Sequence, residues 1–540
     1  MMNRLMIKTF AVGSILIASA HAQSMQDGLR ALDFEKFEGA RNIFSSLTKT
    51  ESTNADNWYY LGQSYLNLYK ADSAKWAYQE GIKVSANAPA NYVGLGELLM
   101  AENKKEEAKT YFNKALSFSK TRDGLISDPK ALQLVAAALV STENKVTEDA
   151  LVYIKNAVEL APKNYDVLVS AGDVYLELNN AGEAANHYEK AEAIQPKNPK
   201  AFTRVAEIWL RVKNYETTLT DLNKALAIDS NYAPALKLMS ELYYKSKKYD
   251  TAKYYYTKYL QNSEISLANR QRFVRILFNA KEYENALTDL KEIILIPNHD
   301  VFMYRMIGYS YYEVAEIKKD ATMYPLGVSA LEKFIATAPS DKIIASDYEY
   351  LGKHYSRIAG KDSLAVAYIN KAIETDPSKV DLNKDAGQIL YRLKRFDQSI
   401  VFYERYIANA PKVSINDYFL LGMTAYFGKQ YPKADSAFAK VIEMKPNYAD
   451  GYYWRGNVQA NLDTQAKDTI GFSSYNTYIS MAESNVEKNK KNLIVAYNYV
   501  ATYYILHDNN KEAKVFLQKV LALDPTNKQA TTYLKEVDKK

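Results

Sequence analysis

Residues 58–78 read WYYLGQSYLNLYKADSAKWAY, and the spacing inside this stretch decides the fold. Leu61-Gly62 is followed three positions later by Tyr65, and Ala74 four positions later by Tyr78. The small residue at Ala74 recurs at Ala40 and Ala108, a step of 34, and after a slip of a few residues at Ala150, Ala184, Thr218, Ala252 and Ala286. A fixed period of this length marks one supersecondary unit repeated along the chain. Gly62 and Ala74 are small where two helices approach closely, and Tyr65 and Tyr78 are large enough to fill the space on either side. One unit cannot bury its own apolar face, so stability comes from the stack.

The set Trp58, Leu61, Gly62, Tyr65, Ala74 and Tyr78 resembles the tetratricopeptide repeat (TPR), W-x2-L-G-x2-Y followed by A-x3-F or Y. Further copies are Leu95-Gly96 with Ala108 and Phe112, Ala171-Gly172-Tyr175 with Ala184 and Tyr188, Ile307-Gly308-Tyr311, Leu351-Gly352-Tyr355, Ala386-Gly387 with Tyr403, Leu421-Gly422 with Phe438, and Val500-Ala501-Tyr504 with Leu517. The resemblance implies an all-α, right-handed superhelical solenoid of about 14 helix-turn-helix units. Pro196, Pro377, Pro411, Pro446 and Pro525 fit helix stops, because proline cannot continue the hydrogen-bonded ladder. Between about 199 and 300 the glycine gives way to Ala206, Ser240 and Val274, so looser helix contacts are expected there. Insertions near 141–149, 313–326 and 461–470 are expected in loops. The organisation expected from this pattern is an amino-terminal array over 23–312, an insertion or hinge at 313–326, a second array over 327–527 and a capping helix at 528–540.

Residues 1–22 have a different character. Arg4 and Lys8 precede the apolar run Phe10–Ala18, and Ala20-His21-Ala22 has the small-x-small form of a signal-peptidase site. Cleavage after Ala22 is expected, leaving Gln23 first and placing the mature chain in a periplasm or outside the cell; the run is too short for a bilayer span. The chain has no cysteine. That suits an exported protein whose large core needs no covalent staples. Lys and Arg number 69 against 63 acids, a net charge of +6. So weak an excess is not the electrostatic footprint of a nucleic-acid binder.

Chemistry-bearing motifs are nearly absent. His21, His187, His299, His354 and His507 are scattered and form no H-E-x-x-H, and there is no G-x-S-x-G elbow or P-loop. Gly94-Leu95-Gly96 lacks the third glycine and the preceding strand of a dinucleotide fingerprint. No catalytic residue, cofactor or metal site is assigned, and no enzyme activity is expected. Function is then expected from the concave groove, which in the TPR family is lined by the first helix of each repeat. The inward offsets around each Leu-Gly pair give Lys237, Arg275, Arg305, Tyr309, Tyr312, Lys353, Arg357, Lys384, Tyr391 and Arg392 as candidate groove residues. Alternating bases and rings suit an extended or acidic peptide; equally, they suit a solvated face. On the first reading, reversing charge at Arg305 and Arg357 weakens capture and spares the fold. The carboxylate-clamp pattern of Lys and Asn four apart is not matched, since Lys237 pairs with Glu241 and Lys384 with Gln388.

Asp72-Ser73-Ala74, Asp250-Thr251-Ala252, Asp362-Ser363-Leu364, Asp435-Ser436-Ala437 and Asp468-Thr469-Ile470 resemble an O-glycosylation sequence of exported Gram-negative proteins. They also read as helix starts, where Asp and Ser meet free amides and the positive dipole end, and that reading is preferred. The expected function is a scaffold or adaptor in a bacterial envelope that grips a protein or peptide partner. A glycan- or peptidoglycan-binding solenoid and an accessory subunit of an envelope enzyme complex are the alternatives.

Overall fold

The structure, a computed structural model, describes residues 24–466 and 469–539. The leader expected over 1–22, with its cleavage point, and Asp468 lie outside the described residues. The described residues divide into two compact units, one ending at Glu282 and the other beginning at Tyr283. In the first unit seven helical hairpins follow one another, from Met25–Asp33 with Phe37–Thr50 to Ala233–Lys245 with Tyr249–Asn262, and the helix Leu267–Asn279 follows them. The second begins with the helix Tyr283–Ile293 and continues through six hairpins, from Phe302–Lys318 with Met323–Thr337 to Val486–Leu506 with Asn510–Leu523. The last helix among the described residues is Lys528–Val537.

Local chemistry sets the helix boundaries. Asn54, Asn164 and Asn198 accept hydrogen bonds from amides of the helices they precede, satisfying donors that have no partner inside the helix. Pro89, Pro129 and Pro199 occupy first helical positions, where a missing N–H costs nothing. Pro196, Pro377, Pro411, Pro446 and Pro525 each fall just after a helix has ended. Asp72, Asp250 and Asp362 stand in first helical turns, as the helix-start reading requires. Asp435 lies deeper in its helix and accepts two hydrogen bonds from Arg455, at 2.9 and 3.2 Å.

In most hairpins the turn passes through a left-handed residue, the turn at 141–146 being an exception. Glu35, Tyr69 and Asn103, then Asn179, Lys213, Lys247 and Lys281, all have φ between 55° and 61°. The amide of the next residue reaches back to a carbonyl five positions earlier, as Lys36 does to Ala31 at 2.8 Å and Lys70 to Tyr65 at 2.9 Å. This is the six-to-one bond of a Schellman turn. Nearly all these positions carry a side chain where glycine is the default.

The signature glycine makes room for a ring. A Cβ built on Gly62 would lie 2.2 Å from the Tyr78 ring, and on Gly96 2.4 Å from Phe112. Gly28 faces Phe44, Gly172 faces Tyr188 and Gly422 faces Phe438 in the same way. In each of these pairs the ring comes 16 residues after the glycine. In three hairpins that have lost the glycine the residue 16 later is smaller: Ala206 shares a core with Leu222, Ala138 with Ile154 and Ala501 with Leu517, all nearly inaccessible; Ser240 keeps a tyrosine, Tyr256, and both are buried. Ala206, Ser240 and Val274, which replace the glycine between about 199 and 300, are all closed off from solvent, so the looser contacts expected there are not found.

Two of the expected insertions fall largely between helices, at 141–146 and, among the described residues, at 463–466. The third does not form a loop. Residues 313–318 complete the 17-residue helix Phe302–Lys318, and the next helix begins at Met323. The boundary between the compact units falls at 282/283, away from 313–326.

The packing rule predicts coupling between paired sites. Gly96→Ala is expected to destabilise by about 1–3 kcal/mol through overpacking, and Phe112→Leu by a similar amount through a cavity. Together they should cost clearly less than the sum, since each relieves the other. A double-mutant cycle from urea unfolding checks this, and strict additivity contradicts it.

Candidate binding cavity

The ten groove candidates fall in both units, and almost all are already engaged. In the second unit Arg305 donates to both carboxylate oxygens of Asp347 at 2.7 Å and to the Lys342 carbonyl at 2.6 Å. Its guanidinium also stacks 4.4 Å from the Phe334 ring centroid. Asp347 is fully buried and accepts from the Tyr309 hydroxyl at 2.8 Å and from the Ile344 amide at 2.8 Å. Arg305 and Tyr309 are thus parts of a buried network and cannot serve a ligand. The expectation that reversing Arg305 would spare the fold is corrected accordingly: the substitution would leave a buried carboxylate facing another.

The remaining bases show the same pairing at lower burial. Lys384 meets Asp417 at 2.5 Å, Lys353 meets Glu349 at 2.6 Å, Arg357 meets Glu316 at 2.9 Å and Arg392 meets Asp362 at 3.3 Å. Burial opposes ionisation of Asp417, but the Lys384 ammonium and the Ser414 donors outweigh it and hold the carboxyl below its usual range. Tyr312 lies edge-on to Tyr350 and His354, and Tyr391 to Phe396 and Phe427. Arg275 is half-buried in the helix Leu267–Asn279 of the first unit.

His354 was expected to have no special role, and it sits at the centre of the hairpins around it. Its ring occupies the space beside Gly327, where a Cβ would lie 2.0 Å away, and its Nε2 lies 3.0 Å from the Gly308 carbonyl. A carbonyl only accepts, so Nε2 carries the proton. Burial pushes the imidazole down to about 4.

The first unit contains a cavity of about 1410 Å³. Its wall draws on the hairpin turn at Phe34 and Glu35, the helix Ala55–Asn67 through Tyr59, Tyr60 and Gln63, the helix Pro129–Val140 through Lys130 and Gln133, and the helix Tyr165–Glu177 through Tyr165, Ser170 and Asp173. The helix Pro199–Arg211 adds Lys200 and Arg204, and Tyr232 closes the circuit. First helices of several repeats thus supply the lining, and none of the ten groove candidates is in it. Carboxylates and bases in the lining are equal in number, and four of the bases are paired: Arg30 with Asp229, Lys130 with Asp56, Lys200 with Asp33 and Arg204 with Asp173. Gln63 donates to Glu97 at 2.8 Å and to the Tyr78 hydroxyl at 3.1 Å, and Gln133 donates to Ser170 at 2.8 Å. Burial raises the Glu97 carboxyl, an effect Gln63 opposes.

The cavity is closed by contacts between residues about 170–230 apart in sequence. Phe34 packs edge-on against Tyr232, with ring centroids 5.5 Å apart. Glu35 accepts from Lys237 at 2.9 Å and from the Tyr259 hydroxyl, and its carbonyl accepts from the Glu264 amide at 3.1 Å. The Glu264 carboxylate in turn accepts from the Glu38 amide at 2.7 Å. Lys237, expected to face a ligand, is instead part of this closure. Phe34, Glu35 and Glu264 carry no repeat signature, and nothing in the period places the first hairpin against the sixth and seventh.

Comparison with known proteins agrees with this architecture. Tetratricopeptide repeat models match residues 89–122, 147–199 and 359–414. The chain is 30% identical to the C-terminal part of a TPR repeat-containing protein from Cytophaga hutchinsonii, over 48% of this chain and 98% of that one, with a TM-score of 0.38. It is also similar to the TPR domain of P58(IPK), at 16% identity over 75% and 97% of the two chains with a TM-score of 0.29. YrrB, described as a TPR protein with an unusual peptide-binding site, is 21% identical over 36% and 95%, with a TM-score of 0.23. No curated protein matches the chain. The protein belongs to the tetratricopeptide repeat family. Within that family it is a protein–protein interaction scaffold, a class generally without enzymatic activity. Among the described residues no cluster of three metal-ligating side chains occurs, and no helix is long and apolar enough to cross a membrane.

Two predictions follow from the second unit's buried groups. Arg305→Glu should destabilise by about 3–5 kcal/mol, as expected when one partner of a buried pair is removed, while Arg357→Glu, on a half-exposed pair, should cost no more than about 1 kcal/mol; urea midpoints separate the two. For His354, the unfolded imidazole titrates near 6.5 and the folded one at about 4. The unfolded state therefore binds the proton first, and stability falls as pH drops from about 6.5 to about 4, by up to about 3 kcal/mol. That slope should vanish in His354→Gln.

Proposed function

We propose that this protein is an exported scaffold of a bacterial envelope that holds a partner protein by an extended segment laid into the cavity of its amino-terminal unit. The observation that carries the reading is the cavity itself: about 1410 Å³, larger than the roughly 300–1,000 Å³ of sites for small molecules. Its lining supports a polypeptide rather than an acidic tail. Most of its charges cancel in pairs, and the side chains left to interact are amides, hydroxyls and ring edges, which suit peptide groups and neutral side chains.

The aromatic lining also bears on the glycan alternative. Tyr59, Tyr165 and Tyr232 are 7%, 6% and 1% exposed, so their faces are spent on packing and form no open stacking platforms. The envelope setting rests on the charged start, apolar run and Ala20-His21-Ala22 of the first 22 residues. Purified native protein should accordingly begin at Gln23.

Binding is tested with a dye-labelled, carboxymethylated ribonuclease chain, which cannot refold, by fluorescence anisotropy. Ser170→Trp, which places a large ring into the cavity, should weaken binding at least about tenfold with an unchanged helical circular-dichroism spectrum. Wild-type affinity in this variant would move the site elsewhere.

A further inference from the structure

The wall of the cavity is not uniform. Between consecutive hairpins it is a continuous apolar core, as in the cluster joining Ala206, Leu222, Tyr232, Leu236 and Tyr256, which cannot be parted without exposing buried surface. The closure between the first hairpin and the repeats at 199–264 is of another kind. It hangs on one turn, whose apolar contribution is the single ring of Phe34, 8% exposed, which joins the edge of that cluster against Tyr232. The rest is polar: the Glu35 carboxylate on Lys237 and Tyr259, Arg30 on Asp229, Asp33 on Lys200, and the two hydrogen bonds made by Glu264. The bases concerned are well exposed, at 69% for Arg30 and 45% for Lys237, so water replaces each contact readily when it breaks. Segments held by few apolar contacts and exposed hydrogen bonds are those that open first.

We propose that the Phe34–Glu35 turn is a latch, and that its release opens the cavity sideways to admit an internal stretch of an extended polypeptide, which needs no free end to enter. The proposal deepens the cavity reading above and rests on it. A cavity closed by covalent backbone on every side would accept a chain only by threading from a terminus. Here one side of the wall is side-chain contact, and the residue that aims it is held by the turn: Glu35 sits at φ 55°, in the left-handed conformation that most of the hairpin turns share, so the carboxylate is presented outward by geometry already fixed within the first repeat. Release then requires that Phe34 leave its pocket by Tyr232 and that Arg30, Asp33, Glu35 and Glu264 exchange their partners across the closure for water, with both helices of the hairpin intact.

Closure can be locked covalently. The Glu35 carbonyl and the Glu264 amide are hydrogen-bonded at 3.1 Å, which brings the two α-carbons into the range of about 4.4–6.8 Å that a disulfide spans, and the chain has no cysteine to compete. Glu35→Cys with Glu264→Cys, crosslinked either by oxidation or by a short bis-maleimide, gives the locked form. Two probes are compared by stopped-flow anisotropy: the carboxymethylated ribonuclease chain with free ends, and a 40-residue neutral polar linker whose two ends are each fused to a folded fluorescent protein. The unlocked protein should bind both. Locking should slow association of the end-blocked probe at least about tenfold, with recovery on reduction of the disulfide. Equal rates for locked and unlocked protein overturn the latch while leaving the cavity reading in place, as does failure of the unlocked protein to bind the end-blocked probe when it binds the free-ended one. Failure to bind either probe overturns both. Hydrogen exchange supplies a readout free of any ligand: the amide of residue 264 donates across the closure to the carbonyl of residue 35, a backbone bond that both substitutions keep, and its exchange should slow at least about tenfold on crosslinking. No change there means that the closure does not open, and the latch fails.

Discussion

The structure depends on a small residue in the first helix of a hairpin meeting a larger one in the second, most often 16 positions later. With Gly62 against Tyr78 or Gly172 against Tyr188 the ring enters the space that a Cβ would occupy, and both Tyr78 and Tyr188 are wholly buried. That contact fixes the separation of the two helices, and with it the face that each hairpin offers the next. Because the sum of the two volumes is what matters, Ala206 with Leu222 does the same work as glycine with tyrosine. Repeats that have lost the signature residue keep the same spacing, and the stack continues through them without a weak joint.

Fixed spacing has a consequence at long range. Small rotations between identical steps accumulate, so the path of a solenoid is set by its repeats and not by contacts between its distant parts. In the first unit that path brings the opening hairpin within reach of the repeats at 199–264, and only a few side chains are needed to complete the circuit. Phe34 and Glu35 find a surface that the stack has already placed there. The contact across the closure is accordingly thin and polar, where the contacts that generate the path are thick and apolar.

This division also explains what was legible in the sequence. Helix count, hairpin pairing and helix stops all follow from local chemistry repeated at a fixed step, and residues 58–78 alone contain enough of it. Inward offsets from the Leu-Gly pair did not find the cavity: none of the ten residues they gave lines it, and eight of them lie in the second unit. Nor did the offsets show what those side chains do. Arg305 is a case in point: its offset is right, yet its partner Asp347 lies 42 residues on, and no feature of the period says that this acid will be buried beneath it. Lys237 fails as a ligand group for the same reason, since its partner, Glu35, lies 202 residues earlier. Extra residues at 313–326 read as a loop because insertions usually are loops, whereas here they lengthen a helix that stays amphipathic through its added turn. The period specifies the scaffold; pairings across it depend on superhelical geometry that one repeat does not contain.

The pairing of charges bears on what kind of partner such a surface can recognise. A wall whose bases are free attracts acids from a distance and loses affinity steeply with salt. In the cavity of the first unit four bases are tied to neighbouring acids, so the long-range field is small and little is gained by charge on the partner. What remains at close range is a set of amide and hydroxyl groups such as Gln63, Gln133 and Ser170, held in place by one another and by buried tyrosines. Groups of that kind discriminate by hydrogen-bond geometry and by the cost of leaving a donor or acceptor unpaired. The peptide backbone offers the same donors and acceptors at every residue, whatever the sequence. A surface built this way selects for an extended conformation before it selects for composition, which is the selectivity a scaffold needs when it must hold a segment by its middle.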